Sequence, residues 1–211
     1  MVEQIYKEIR TIKKYALQNK VPIMVDDSID FIITKMHQKK LTKVLEIGTA
    51  IGYSAIMMAL SSPKVTVTSI EKDKDRYLEA VKNIKKLNLE DRITLIYNDA
   101  LEVSLKEKYD LILIDAAKSK NLDFFNKFEK NLEPNGIIIT DNLSFHGYVE
   151  KNPEEIKNRN LRALVRKIKN YIDFLENNIK YKTTFYEIGD GLSVTEKRMW
   201  NNENTSRTNK H

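Results

Sequence analysis

The sequence of 211 residues contains no cysteine. That excludes disulfides, thiolate metal centres and cysteine nucleophiles, and it removes any sign of an oxidising compartment. Glycine and proline are scarce, at 6 and 4 residues, so collagen-like and low-complexity chains are excluded as well. No stretch approaches the roughly 18 consecutive apolar residues of a membrane span. The N-terminus, MVEQIYKEIRTIKKYALQNK, is charged throughout and lacks the apolar core of a secretory signal. These absences make a cytoplasmic protein without membrane attachment the expectation. What is present is an ordinary globular composition, 41% hydrophobic and 31% charged. The length suits one domain over residues 1–200, with 1–40 as a helical cover and the polar stretch 201–211 as a disordered tail. A formal charge of +6 favours an anionic partner such as nucleic acid, although a lysine-rich solvated surface accounts for it equally well.

Between residues 41 and 140, short β-branched runs alternate with amphipathic stretches. Val44–Ile47, Val65–Ile70, Ile93–Tyr97, Leu111–Ile114 and Ile137–Thr140 read as strands buried on both faces. Strands alternating with helices predict a doubly wound, parallel α/β sheet with right-handed crossovers. After Glu71, the three-residue steps of Leu78, Val81, Ile84 and Leu87 predict a helix with these residues on one face. A stripe of Leu161, Leu164, Ile168, Ile172, Leu175 and Ile179 predicts a long helix from Glu154 to Ile179, and Ile5, Ile9, Ile12 and Ala16 mark a similar stripe at the N-terminus. Gly189-Asp190-Gly191 lies between the strand-like Thr183–Ile188 and Leu192–Glu196, which predicts that the sheet ends in an antiparallel hairpin.

Two groups of residues carry chemistry. Val44-Leu45-Glu46-Ile47-Gly48-Thr49-Ala50-Ile51-Gly52-Tyr53-Ser54 passes from strand through a glycine turn into helix, the place where open α/β sheets bind ligands. Glu71, at the end of the next strand, is placed to accept hydrogen bonds from two ribose hydroxyls. A dinucleotide fingerprint starting at Gly48 would need glycine where Ala50 and Tyr53 stand, so a pyrophosphate is disfavoured. A phosphate-free nucleoside such as S-adenosylmethionine is tolerated, with Glu46 facing its ammonium and Ser54 its carboxylate. In Asn98-Asp99-Ala100, Asp99 or the neighbouring backbone is a candidate reader of the adenine amino group, with a helix cap as the alternative. At the other end, Asp115 and the pair Asp141-Asn142 each follow a predicted strand. Together they offer three hard oxygen ligands for Mg²⁺ or a similar divalent cation, whereas Asp-Asn alone is ordinary turn chemistry. Lys118, three residues after Asp115, is a candidate general base.

These residues, over nearly the whole chain, resemble the cation-dependent O-methyltransferases related to catechol and caffeoyl-CoA methyltransferases. More narrowly, Val21-Pro22-Ile23-Met24, Leu45 to Ile56, Ile114-Asp115-Ala116-Ala117-Lys118, Ile139-Thr140-Asp141-Asn142 and Gly189-Asp190-Gly191-Leu192 resemble the bacterial tRNA 5-hydroxyuridine methyltransferases. The resemblance implies a Rossmann-like class I methyltransferase fold with a mostly parallel seven-stranded sheet. It implies Met24, Ser54, Glu71, Asp99, Ala100 and Asp115 around S-adenosylmethionine, and Asp115, Asp141 and Asn142 around the metal. It also implies methylation of the wobble uridine in a tRNA anticodon loop, with a catechol-like phenol as the alternative acceptor. The chain begins late in the family's leading helical segment, which leaves a homodimer an open expectation. Apart from the resemblance, Arg159, Arg162, Arg166 and Lys169 form a basic stripe that is either an RNA phosphate contact or a solvated helix face. Phe145, His146 and Tyr148 are candidates for stacking a base.

Overall fold

The structure is a computed structural model and describes residues 2–145 and 147–198; the expected tail at 201–211 and His146 lie outside them. Seven strands, β1 (Lys43–Ile47), β2 (Thr66–Glu71), β3 (Ile93–Tyr97), β4 (Tyr109–Ile114), β5 (Leu132–Thr140), β6 (Tyr181–Tyr186) and β7 (Leu192–Lys197), form one sheet. The order is β3-β2-β1-β4-β5-β7-β6. The first five strands run parallel, while β7 is antiparallel to both β5 and β6. This is the class I methyltransferase arrangement. Residues alternate between faces as a strand requires: Leu111 and Leu113 enter one core, Ile112 and Ile114 the other. The first core receives α1 (Val2–Gln18), α2 (Asp26–Lys39), α3 (Tyr53–Ser61) and Ile84 of α4 (Lys74–Lys86). The second receives Phe124, Phe125 and Phe128 of α5 (Asn121–Phe128) and Tyr171 and Leu175 of α6 (Arg159–Glu176).

Two helix expectations need correction. In α4, Leu78 and Val81 are exposed, and the buried residues are Ala80, Asn83 and Ile84. Steps of three drift off a 3.6-residue period, and the side that packs is chosen by the Gly48–Ser54 turn. A Cβ on Gly52 would lie 3.3 Å from that of Ala80, and the Asn83 amide donates to the Ile51 carbonyl at 2.9 Å. The last helix begins at Arg159 rather than Glu154, because the Asn158 side chain accepts from the backbone N–H groups of Asn160 and Leu161 and caps it there. Its stripe ends early: Ile179 lies beyond the helix and is 76% exposed.

Candidate active site

Strand β1 pairs with β2 on one side and β4 on the other, so the sheet's direction of winding reverses between β1 and β4. A crevice opens at the C-terminal ends of strands at such a point. Here it is a cavity of about 540 Å³. Met24, Gly48, Ser54, Glu71, Asp99, Ala100, Asp115, Lys118, Asp141 and Asn142 all line it. The chain brings together every predicted donor and metal residue except Glu46, which is fully buried behind Ser54 and absent from the lining. Sequence alternation places Glu46 on a strand but cannot say that the helix start of α3 stands between it and the cavity.

The donor end is held by backbone. Glu71 Oε2 accepts from Ala50 N at 2.8 Å, and Oε1 accepts from Lys72 N and Asp73 N at 2.9 and 2.8 Å. A carboxylate has about four acceptor positions, so one on Oε2 remains for a ligand hydroxyl. Asp99 accepts from Leu101 N at 2.9 Å and lies 3.9 Å from the Lys72 ammonium, which makes it both a turn-former and a wall of the cavity. Gly48 has φ of +100°, and a Cβ there would stand 2.2 Å from the Asp115 carbonyl oxygen. Glycine is needed for this contact between the donor turn and β4, independent of any phosphate.

At the other end, the Asn142 amide nitrogen lies 3.3 Å from Asp115 Oδ1 and 3.0 Å from Asp141 Oδ2. Asn142 adopts φ of +66°, a left-handed conformation that asparagine tolerates. Burial, then the charge of Asp141, raises the Asp115 carboxyl well above the usual range, while Lys118 opposes this. Burial likewise brings Asp141 up to about 6. Among the described residues no three His, Cys, Asp or Glu side chains converge; the cluster is two carboxylates and an amide. It fits a divalent cation. The carboxylates crowd each other without an internal cation between them, and turning the amide by 180° presents its oxygen where the nitrogen stands. All three donors are hard oxygens, as Mg²⁺ prefers.

Lining residues not predicted include Tyr53, Lys72, Arg76, Lys120, Phe124, Leu164 and Asp190. Asp190 belongs to the Gly-Asp-Gly turn read only as a hairpin signal; its carbonyl accepts from Ser144 N at 2.8 Å, which folds the hairpin tip onto the loop after β5. The basic stripe on α6 is not brought to the cavity. Arg166 and Arg162 pair with Glu154, Arg162 Nε also donates to the Ile156 carbonyl, and Lys169 donates to that of Lys151. Arg159 is exposed. Three of the four cations therefore hold down the segment before their own helix. Phe145 and Tyr148 form a tilted ring pair, with centroids 6.2 Å apart.

A family profile described as O-methyltransferase matches residues 2–198. The chain belongs to the O-methyltransferase family. Caffeoyl-CoA O-methyltransferase of Populus kitakamiensis is 28% identical over 200 residues, 89% of this chain and 84% of its own. The flavonoid 3',5'-methyltransferase of Vitis vinifera is also 28% identical, over 87% and 82%. Among solved structures, a Staphylococcus aureus protein provisionally named as a caffeoyl-CoA O-methyltransferase superposes with a TM-score of 0.86. It is 31% identical and is matched over 94% of this chain and 100% of its own. An O-methyltransferase from Bacillus cereus that holds S-adenosylhomocysteine shares the fold, with a TM-score of 0.78 at 23% identity over 91% of both chains. No helix among the described residues of this O-methyltransferase is long and apolar enough to cross a membrane.

Proposed function

We propose that this O-methyltransferase moves the methyl group of S-adenosylmethionine to an acidic hydroxyl that has a second oxygen on the adjacent carbon, as in a catechol-like phenol. The observation that carries this reading is the convergence on one cavity of the Glu71–Asp99 wall and the Asp115–Asp141–Asn142 cluster. Two relatives bear the names of phenol methyltransferases. The donor supplies an electrophilic methyl on a sulfonium, and Asp115, Asp141 and Asn142 would hold a divalent cation that would supply Lewis acidity. The chain's own part is placement. Glu71 accepts from ribose, the first turn of α3 meets the donor's amino-acid end, and Phe124 and Leu164 give an aromatic acceptor an apolar wall. Lys118 lies on the lining beside the cluster, and in its neutral amine form it would take the hydroxyl proton as oxygen bonds to the methyl and the carbon–sulfur bond breaks.

The same pair of adjacent oxygens occurs in 5-hydroxyuridine, so tRNA wobble methylation to 5-methoxyuridine is the second reading. The cations Lys72, Arg76, Lys118 and Lys120 along the lining, with the net charge of +6, favour it. Radiolabelled donor with Mg²⁺ should be offered separately to a catechol and to tRNA carrying 5-hydroxyuridine. Transfer to the catechol supports the first reading, transfer to tRNA alone replaces it with the second, and transfer to neither defeats both.

A further inference from the structure

Glu46 is the only acid of β1, and the strand register sets it beside Ser69 of β2. It is wholly buried. Ser54 donates to its Oε1 and Ser69 to its Oε2, and the Thr49 hydroxyl lies 2.5 Å from that of Ser69. Four side chains thus form one chain of hydrogen bonds, Thr49–Ser69–Glu46–Ser54, with only Ser54 and Thr49 reaching the cavity. No cationic side chain is hydrogen-bonded to Glu46 among the described residues. The charged groups that act on it or feel it are acids, Glu71 at the end of β2 and Asp115 beyond β4.

Counting protons shows what this chain can offer a ligand. An ionised Glu46 consumes the proton of Ser54, which then presents only lone pairs to the cavity. A protonated Glu46 can donate to Ser54 instead, and the Ser54 proton is released toward the ligand. The ligand group expected there is an anion. Helix α3 starts at Tyr53 with Gly52 as its cap and no side chain satisfying its first N–H groups, and such an end attracts carboxylates. A carboxylate bound at Ser54 is therefore matched to a neutral Glu46 and opposed by an ionised one.

We propose that Glu46 is a positioning residue whose proton sets the direction of the Ser54 hydroxyl, so that binding of the donor's carboxylate is coupled to proton uptake at Glu46. The inference rests on the methyl-donor reading of the cavity. Burial, against the bonds from Ser54 and Ser69, brings the Glu46 carboxyl up to about 7 in the ligand-free chain. The coupling accordingly shows itself above neutrality, where affinity falls by up to about tenfold per pH unit, the limit for a single linked proton.

The test is calorimetric titration of the purified protein with S-adenosylhomocysteine at pH 6 and pH 8, in chelator and in two buffers of different ionisation enthalpy. At pH 8 the native protein should take up close to one proton more than Glu46→Gln, whose neutral amide can serve both serines and whose affinity should be flatter with pH. The ligand's own amino group is common to both proteins and cancels in the comparison, whereas Asp115 feels the Glu46 charge and cancels only between the native protein and Ser54→Ala, which keeps it. Ser54→Ala, which leaves Glu46 in place but removes the relay, should lose the same proton; it decides the matter if Glu46→Gln does not fold. Equal uptake in native protein and Ser54→Ala overturns the inference. So does equal uptake in native protein and a folded Glu46→Gln. Failure of the native protein to bind S-adenosylhomocysteine at any pH would instead overturn the donor reading itself.

Discussion

At Glu46, ligand binding and folding both favour the protonated carboxyl. Its carboxyl titrates near 7 in the folded chain against an ordinary 4.5, so the folded state holds the proton more tightly than the unfolded one. The associated stability is complete below about pH 4.5 and is lost as the pH rises through 7, by about 3 kcal/mol at most. Urea denaturation should show the native chain losing more stability between pH 5 and pH 8 than Glu46→Gln; equal losses would contradict the assignment. Gly48 is a second sensitive residue. Gly48→Ala pushes a methyl carbon onto the Asp115 carbonyl and should cost about 2–4 kcal/mol. Gly147→Ala, also at positive φ but with nothing within 4 Å, should cost only about 1 kcal/mol. Similar losses in the two melts would show that the contact is relieved elsewhere. At the Asp115–Asp141–Asn142 cluster, Asp141→Ala should abolish turnover if it holds the proposed cation, while near-normal turnover in Lys118→Ala would show that no lysine base is required.

At the scale of elements, the parallel strands were legible because buried β-branched runs have few other uses. Their ends were less so: β5 begins at Leu132, five residues before the run Ile137–Thr140 that announces it. Helix faces are less legible, since hydrophobicity alone does not tell that Ala80 and Asn83, rather than Leu78 and Val81, meet the Gly48–Ser54 turn. The acids at strand ends were readable from their positions, because a parallel sheet gathers those ends on one edge. Glu46 shows where that logic stops, for alternation says that a side chain is buried without saying what covers it. The start of α6 was hidden in a polar stretch whose signal is a single asparagine. Asn158→Ala should lower stability by about 1 kcal/mol in a thermal melt. If tRNA is the acceptor, Arg76→Ala should raise the KM for tRNA more than Arg166→Ala, because Arg76 lines the cavity while Arg166 is engaged by Glu154.

For the whole molecule, the two acceptor readings differ in how they respond to salt. A polyanion that displaces counterions should lose affinity by orders of magnitude between about 50 and 200 mM salt, whereas turnover of a neutral phenol should scarcely change. Chelator should abolish activity on either acceptor, and Mg²⁺ should restore it. One further consequence lies in the β6–β7 hairpin. A Cβ on Gly189 would strike Ser28 of α2, one on Gly191 would strike Ser144 after β5, and β7 itself closes the gap between β5 and β6. This tip joins the helical cover to the loop bearing Asp141 and Asn142, and in the chain it follows every strand of the sheet but β7. During synthesis the Gly48–Ser54 turn and strands β4 and β5 are made before the clasp that gathers them, so a nascent chain has the walls of the cavity without their closure. Methyl transfer should begin only after the hairpin emerges.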